Sequence, residues 1–411
     1  MKVESCPLDA GVLVVILILG SFDMLHEAIS LLVRYEEAGG APIGSDAKTC
    51  CCRRLDTIGG NGLRENLLQP RSLATEAIAH GRLTRMSILL TGAAGFIGFH
   101  VAKALLERGE RVIGIDNLNE YYDVRLKEAR LDHLRADRGF AFEKLDVADR
   151  AAVFALLERH KDLRSIIHLA AQAGVRHSLK DPYVYVEANV LGTLVMLEAA
   201  RRIENLRGIV YASSSSVYGA NKKQPFSVED PVDLPVSLYG ATKRSCELVA
   251  QAYSHLYGIS AIGLRYFTVY GPWGRPDMAA YLFTTAILAG KPIMVFNEGR
   301  MARDFTYIDD IVLGTIAAHD RLPAAGSETR HAIYNLGNHR SEKLTDFIAV
   351  IERALGRTAQ KVLLPLQPGD VAETFADIEA SRRDLGFDPK TTIETGIVRF
   401  VQWYKEYHGV S

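Results

Sequence analysis

Residues 89–109 read LLTGAAGFIGFHVAKALLERG. The apolar run from Ile88 to Leu90 predicts a strand that enters Gly92, Gly95 and Gly98, and the helical pattern behind them closes at Gly109. Glycines at this spacing permit a tight turn and bring backbone close to a pyrophosphate, which the free amides and dipole of a helix N-terminus attract. Phe96 and Ile97 lie within the same turn and join the candidate cofactor contacts. A second apolar strand, Arg111 to Ile115, ends at Asp116 and Asn117 about twenty residues on, where an acid binds the ribose of a dinucleotide. Asp116 repels a 2′-phosphate, so the predicted cofactor is NAD rather than NADP.

Outward from this unit, apolar runs at Phe140 to Phe142, Ile166 to Leu169 and Ile209 to Tyr211 alternate with helical patterns. That alternation predicts an α/β fold, a doubly wound parallel Rossmann sheet. Asp146 and Val147 close the third run, either against adenine or, for Asp146, as the cap of the next helix. Leu169, Ala170 and Ala171 end the fourth run, and the small alanines leave room for a dinucleotide. His168 reads as structural, because it sits in a buried strand pattern without a metal-binding partner. After Leu264 the alternation is broken by Pro272, Trp273, Gly274, Pro276 and Pro292, which marks a second, smaller region.

Two stretches carry the chemistry. In YASSSSVYG, residues 211–219, a strand-like run delivers Ser213 to Ser216 at its carboxyl end, where ligands of open parallel sheets gather. In SLYGATKRSCE, residues 237–247, Tyr239 and Lys243 are four apart, one turn along the same helical face. The reference pKa of tyrosine is about 10, so its phenol serves as a base near neutrality only where fixed positive charge stabilises the anion. Lys243 can supply that charge.

The motifs TGAAGFIG, HLAA, SSSSVYG and YGATK resemble the short-chain dehydrogenase/reductase family in its extended, nucleotide-sugar-modifying form, over nearly all of residues 86–409. Longer strings are similar to the UDP-glucuronate 4-epimerase family: GIDNLNEYYDVRLKEARL, HLAAQAGVRHS, LRYFTVYGPWGRPDMA, RDFTYIDDI and QPGDVAETFADI. The resemblance implies a Rossmann domain over 86–265 and a smaller, interleaved UDP-sugar domain over 266–411 that returns to the first near 304–320. It implies reversible, NAD-dependent inversion at C4 of UDP-glucuronate through a 4-keto sugar, giving UDP-galacturonate.

Carried onto this chain, the resemblance makes Tyr239 the base and has Lys243 bind the nicotinamide ribose. Ser214 matches the hydroxyl donor, with Ser215 and Ser216 left open beside it. Thr268 and Arg275 are implied to hold the C6 carboxylate, Arg303 the diphosphate and Asp370 the uridine ribose, while Gln172, Arg176 and Ser178 line the sugar site. Asn189 either orients the catalytic helix or is a satisfied core amide, and Thr193 is a weaker candidate. Related dehydratases carry an Asp-Glu pair after the serine or threonine, and related decarboxylases a Glu; Ser215 and Ser216 stand there instead, which favours simple epimerisation. A decarboxylase, or an epimerase of another UDP-sugar, is the alternative, and a non-catalytic NAD sensor is disfavoured by the intact Tyr239 and Lys243. The chain departs from the resembling pattern with His177 in place of Tyr and Cys246 in place of Asn. A homodimer is implied by resemblance alone.

The 411 residues carry 48 basic and 49 acidic side chains, so no global field points to nucleic acid or to an anionic membrane. Four of the five cysteines fall in the first fifty-two residues, without a disulfide framework or zinc spacing, which suits a reducing, cytoplasmic setting and predicts no metal site. The apolar run Ala10 to Leu19 is shorter than the ~18 to 20 residues a bilayer span needs, so no membrane anchor is expected. Residues 1–85 carry no recognisable chemistry, and Met86 directly precedes the first strand; the functional chain is expected to begin there.

Overall fold

The computed structural model describes residues 87–410 except 329, so the expectations for residues 1–85 lie outside the described residues. Seven strands form one parallel sheet: β1 (Ser87–Thr91), β2 (Arg111–Asp116), β3 (Phe140–Lys144), β4 (Leu163–His168), β5 (Gly208–Ser214), β6 (Ala261–Tyr266) and β7 (His331–Leu336). Their spatial order is β7-β6-β5-β4-β1-β2-β3. The direction of winding reverses at β1, which pairs with β2 on one side and β4 on the other, and a crevice opens at the carboxyl ends of these strands.

Strand geometry sends successive side chains to opposite faces, and the core is divided accordingly. Ile88 and Leu90 pack with α1 (Phe96–Glu107) and α2 (Val124–Arg135), whereas Leu89 packs with α3 (Arg150–Arg159), α4 (Gly192–Ala200) and α5 (Leu238–Tyr257). Each such fully buried aliphatic side chain contributes about 1.5–3 kcal/mol. Asp123 and Asp149 cap α2 and α3 by accepting from Arg125 N and Ala152 N, so Asp146 is not the cap of α3.

The helix expected through DPYVYVEANVLGTLVMLEAA is not uniform. It opens at Tyr183–Tyr185, widens to a π-helical Val186–Leu191 and narrows again into α4. Beyond β6 lie α6 (Ala279–Leu288), α7 (Ile308–Asp320), α8 (Leu344–Leu355), α9 (Glu379–Leu385) and α10 (Ile393–His408). Three two-stranded pairings accompany them: Thr268–Tyr270 with Phe305–Tyr307, Ile293–Val295 with Lys361–Leu363, and Ala302–Arg303 with Glu342–Lys343. α7 packs on α1, and β7 then extends the sheet beside β6. Thus the chain returns to the sheet through both α7 and β7. Among the described residues no helix is long and apolar enough to cross a membrane.

Candidate active site

A cleft of about 420 Å³ runs along the carboxyl ends of the strands. Its floor is the turn between β1 and α1. Gly92 has φ +74°, and a β-carbon there would fall 2.8 Å from Ala170 N; at Gly98 it would fall 2.0 Å from the Gly92 carbonyl oxygen. Only glycine allows β1, α1 and the segment after β4 to meet this closely. Gly95, Phe96 and Ile97 line the same floor, with Leu169, Ala170 and Ala171 opposite, in the loop that follows β4 rather than within the strand.

Asp116 ends β2 and accepts from Ala94 N (3.2 Å) and Leu118 N (2.9 Å). Burial pushes its carboxyl upward, while Lys127 and the two amides oppose the shift. Asn117 donates to Asp146 (2.8 Å), and Asp146 also accepts from Ala148 N. Asp116, Asn117, Asp146 and Val147 all line the cleft, forming a polar recess that holds two carboxylates. A glycine floor at a helix N-terminus with an acid at the end of β2 fits the pyrophosphate and ribose of a dinucleotide.

At the centre, Tyr239 and Lys243 project from the first turns of α5, which Ser237 starts by accepting from Gly240 N. Lys243 is buried and donates to the Ala212 carbonyl (2.9 Å), which ties α5 to β5. Ser213 is excluded from the chemistry, because its hydroxyl donates to the buried Glu247 (2.6 Å). Ser214 accepts from Ser216 N (3.2 Å), and Ser214, Ser215 and Ser216 line the wall with Tyr239. Asn189, in the π-helical turn, accepts from Gln172 N (2.8 Å) and donates to Gln172 O (3.0 Å) and Thr242 (3.0 Å). It thereby joins the loop after β4 to α5. The extra backbone width of a π turn brings it there. Gln172 lines the cleft, with its buried side-chain amide beside the Tyr185 phenol.

Thr268, Arg275, Arg303 and Asp370 line the remaining wall. The guanidinium of Arg303 donates to the carbonyls of Ala302, Val371 and Ala372. Arg275 donates to Asp277 through Nε (3.0 Å) and Nη2 (2.5 Å), and Tyr121 donates to the same carboxylate (3.0 Å). Burial opposes charge on Asp277, but Arg275 and Tyr121 outweigh it and hold the carboxyl below its usual range.

Two expected site residues are not on the cleft wall. Ser178 is buried with its hydroxyl donating to Val175 O (2.6 Å), and Arg176 pairs with Asp370 (2.8 Å) while stacking on Phe296. His168 is buried between Thr91 and Thr193, away from the cleft, and burial lowers its pKa to about 3. Thr193 donates to Cys246, which fills the core beneath α5.

Sequence reasoning missed Asn119, Tyr121 and Lys127, which line the cleft near Asp116. Lys127 is buried and donates to the carbonyl (2.7 Å) and side chain (2.8 Å) of Asn119. The available signal was positional. Leu126, Lys127, Arg130, Leu131 and Leu134 share the inward stripe of α2, and a charge in such a stripe needs a partner inside.

Residues 88–337 match the model of the NAD dependent epimerase/dehydratase family. The chain is 46% identical over 337 residues to a probable UDP-glucuronate 4-epimerase of Rhizobium meliloti, covering 78% of this chain and 97% of that protein. It is 46% identical over 333 residues to UDP-glucuronate 4-epimerase 3 of Arabidopsis thaliana, covering 78% of this chain and 77% of that one. The crystal structure of a UDP-glucuronic acid 4-epimerase from Bacillus cereus, in complex with UDP-glucuronic acid and NAD, superposes with a TM-score of 0.72 at 36% identity, over 78% of this chain and all of that one. Fold, glycine floor, Tyr239 with Lys243 and these likenesses converge, and the chain belongs to the NAD dependent epimerase/dehydratase family.

Proposed function

We propose that this protein is an enzyme that interconverts UDP-glucuronate and UDP-galacturonate by NAD-dependent inversion at C4. The observation that carries this reading is the meeting of Tyr239, Lys243 and Ser214 with Thr268 and Arg275 on the walls of one cleft. Inversion begins with removal of the O4 proton and of a hydride from C4. Tyr239 takes the proton, and a hydroxyl from the Ser214 to Ser216 group holds the reacting oxygen. Gly92, Gly95, Gly98 and Asp116 would hold NAD, which would supply the reversible hydride acceptor. Return to the other face of the 4-keto sugar requires the ring to turn over, after which Tyr239 gives back the proton.

Thr268 and Arg275 hold the C6 carboxylate, which restrains the β-keto acid from losing carbon dioxide. Arg303 serves the diphosphate and Asp370 the uridine ribose. No carboxylate stands at 215 or 216 to expel water. The division of labour is a cofactor domain over 86–265 and a mainly substrate-binding one over 266–411. Its setting is cytoplasmic, which the scarcity of cysteines after residue 52 suits. The protein acts as a homodimer, the reading favoured by the exposed stripe Tyr183, Val186, Leu191 and Leu194 beside the exposed Leu248 and Leu256 of α5. A single-chain mass in sedimentation at micromolar concentration would remove the dimer.

The functional test is incubation with UDP-glucuronate without added NAD, followed by proton NMR. A reversible mixture with UDP-galacturonate is expected. UDP-pentose and carbon dioxide would assign the chain to decarboxylation instead.

A further inference from the structure

The two arginines on the cleft wall are wired differently. Arg303 hydrogen-bonds to three carbonyls and to no carboxylate, so its charge is not cancelled by a bonded partner. Arg275 gives its Nε and Nη2 side to Asp277, in a side-on pair that leaves its Nη1 end unused by that carboxylate. Tyr121 fixes Asp277 from the other side. The phenol stays protonated as the donor, since burial and then Asp277 push its pKa up to about 12.

This difference matches what each arginine must do in the reaction proposed above, on which the inference rests. A diphosphate can remain in place throughout turnover. The C6 carboxylate cannot, because the ring turns over between the loss and the return of hydride, and C6 moves with it. A lone guanidinium in a partly desolvated cleft would hold a carboxylate firmly and slow that movement. An arginine already balanced by an internal carboxylate offers directed hydrogen bonds with little net attraction.

We propose that Asp277 is a positioning residue that orients Arg275 toward the substrate carboxylate and weakens its grip enough for the 4-keto sugar to turn. Asp277 is not on the cleft wall and acts through Arg275, with Tyr121 as its anchor.

The test compares the full-chain enzyme with Asp277→Asn, measuring kcat and KM on UDP-glucuronate and the inhibition constant of UDP-glucose, which lacks the carboxylate. Freeing the charge of Arg275 is expected to lower KM and kcat together, each by about tenfold, while UDP-glucose binding is unchanged. In an Arg275→Gln background the same substitution has no further effect. A raised KM with lowered kcat, or unchanged constants, overturns the proposal, since loss of structure alone does not tighten binding. Retained NAD absorbance reports that the variant is folded; if it is lost, Tyr121→Phe decides, with a smaller fall in both constants expected and no change refuting. An unsubstituted enzyme inactive on UDP-glucuronate would refute the functional reading and take this one with it, whereas an active one with the wrong response in Asp277→Asn refutes this inference alone.

Discussion

Tyr239 stands one helical turn before Lys243, and the backbone of α5 alone brings the two together. Local spacing of this kind is legible in sequence, as are Gly92, Gly98 and Asp116, whose roles depend on neighbours in one strand-turn-helix unit. Residues whose partners lie far along the chain were not. Asn189, bonded to Gln172 and Thr242, came into view only through the family resemblance, with its two readings left open, and Asp277, bonded to Tyr121 156 positions away, did not come into view at all. The chemical prediction at this scale concerns the phenol. Tyr239→Phe removes the proton acceptor and leaves the ring, so kcat falls by about a hundred- to ten-thousand-fold. Bound NAD, measured on the protein after denaturation, should remain near the unsubstituted level. Activity within a few fold of the original would exclude Tyr239 as the base.

Five strands were read from short, mostly apolar runs, whereas β6 and β7 escaped. β6, AIGLRY, carries Arg265, and β7, HAIYNL, carries His331 and Asn335, so polar residues break the apolar pattern. Tertiary partners compensate them. Arg265 is fully buried and donates to both oxygens of Glu247 (2.8 and 3.0 Å) and to Tyr218 (3.0 Å). Tyr218 donates in turn to Asn335, which donates to the carbonyls of Phe226 and Asp377. This network locks α5, β5, β6 and β7 in register around Tyr239. Glu247→Gln leaves the Arg265 charge without its counter-ion and should cost about 3–5 kcal/mol of stability, whereas replacing the pair together by Leu and Met should cost far less. Urea unfolding of the three proteins separates these cases, and a Glu247→Gln protein as stable as the original would show that the pair does not hold the sheet.

Across the whole molecule, the change of character after Leu264 was legible but the return of the chain was seen only in part. RDFTYIDDI announces α7, whereas β7 follows a loop of Ala, Gly and Ser and shows no run of its own. Closing the sheet with α7 and β7 also buries titratable groups, which makes stability depend on pH. Burial lowers His168 to about 3, and His319, bonded to Ser165, to about 4; the partly buried His100 falls to about 4. The unfolded chain therefore takes up these three protons first, so their contribution is complete above about pH 6.5 and is lost as pH falls toward 4. Asp304 opposes them. Burial raises its carboxyl to about 6, although amides of Asn338 and Ala376 support the charge, so its contribution is complete below about pH 4 and is lost as pH rises through 6. These four groups together contribute a slope of about two protons, or roughly 2.7 kcal/mol per pH unit between 6 and 4; His331 and His408, also lowered by burial, add to it, whereas Asp116, Asp309 and Glu342, raised by burial, oppose it. Over those two pH units the loss is about 5.4 kcal/mol, comparable to the lower end of a total stability of about 5–15 kcal/mol, so the fold should be markedly weakened by pH 4. Urea midpoints at pH 7, 6 and 5 are expected to fall steeply below 6.5, and Asp304→Asn should steepen the fall by removing the opposing proton. A midpoint that stays level down to pH 5 would mean that these histidines are protonated in the folded protein.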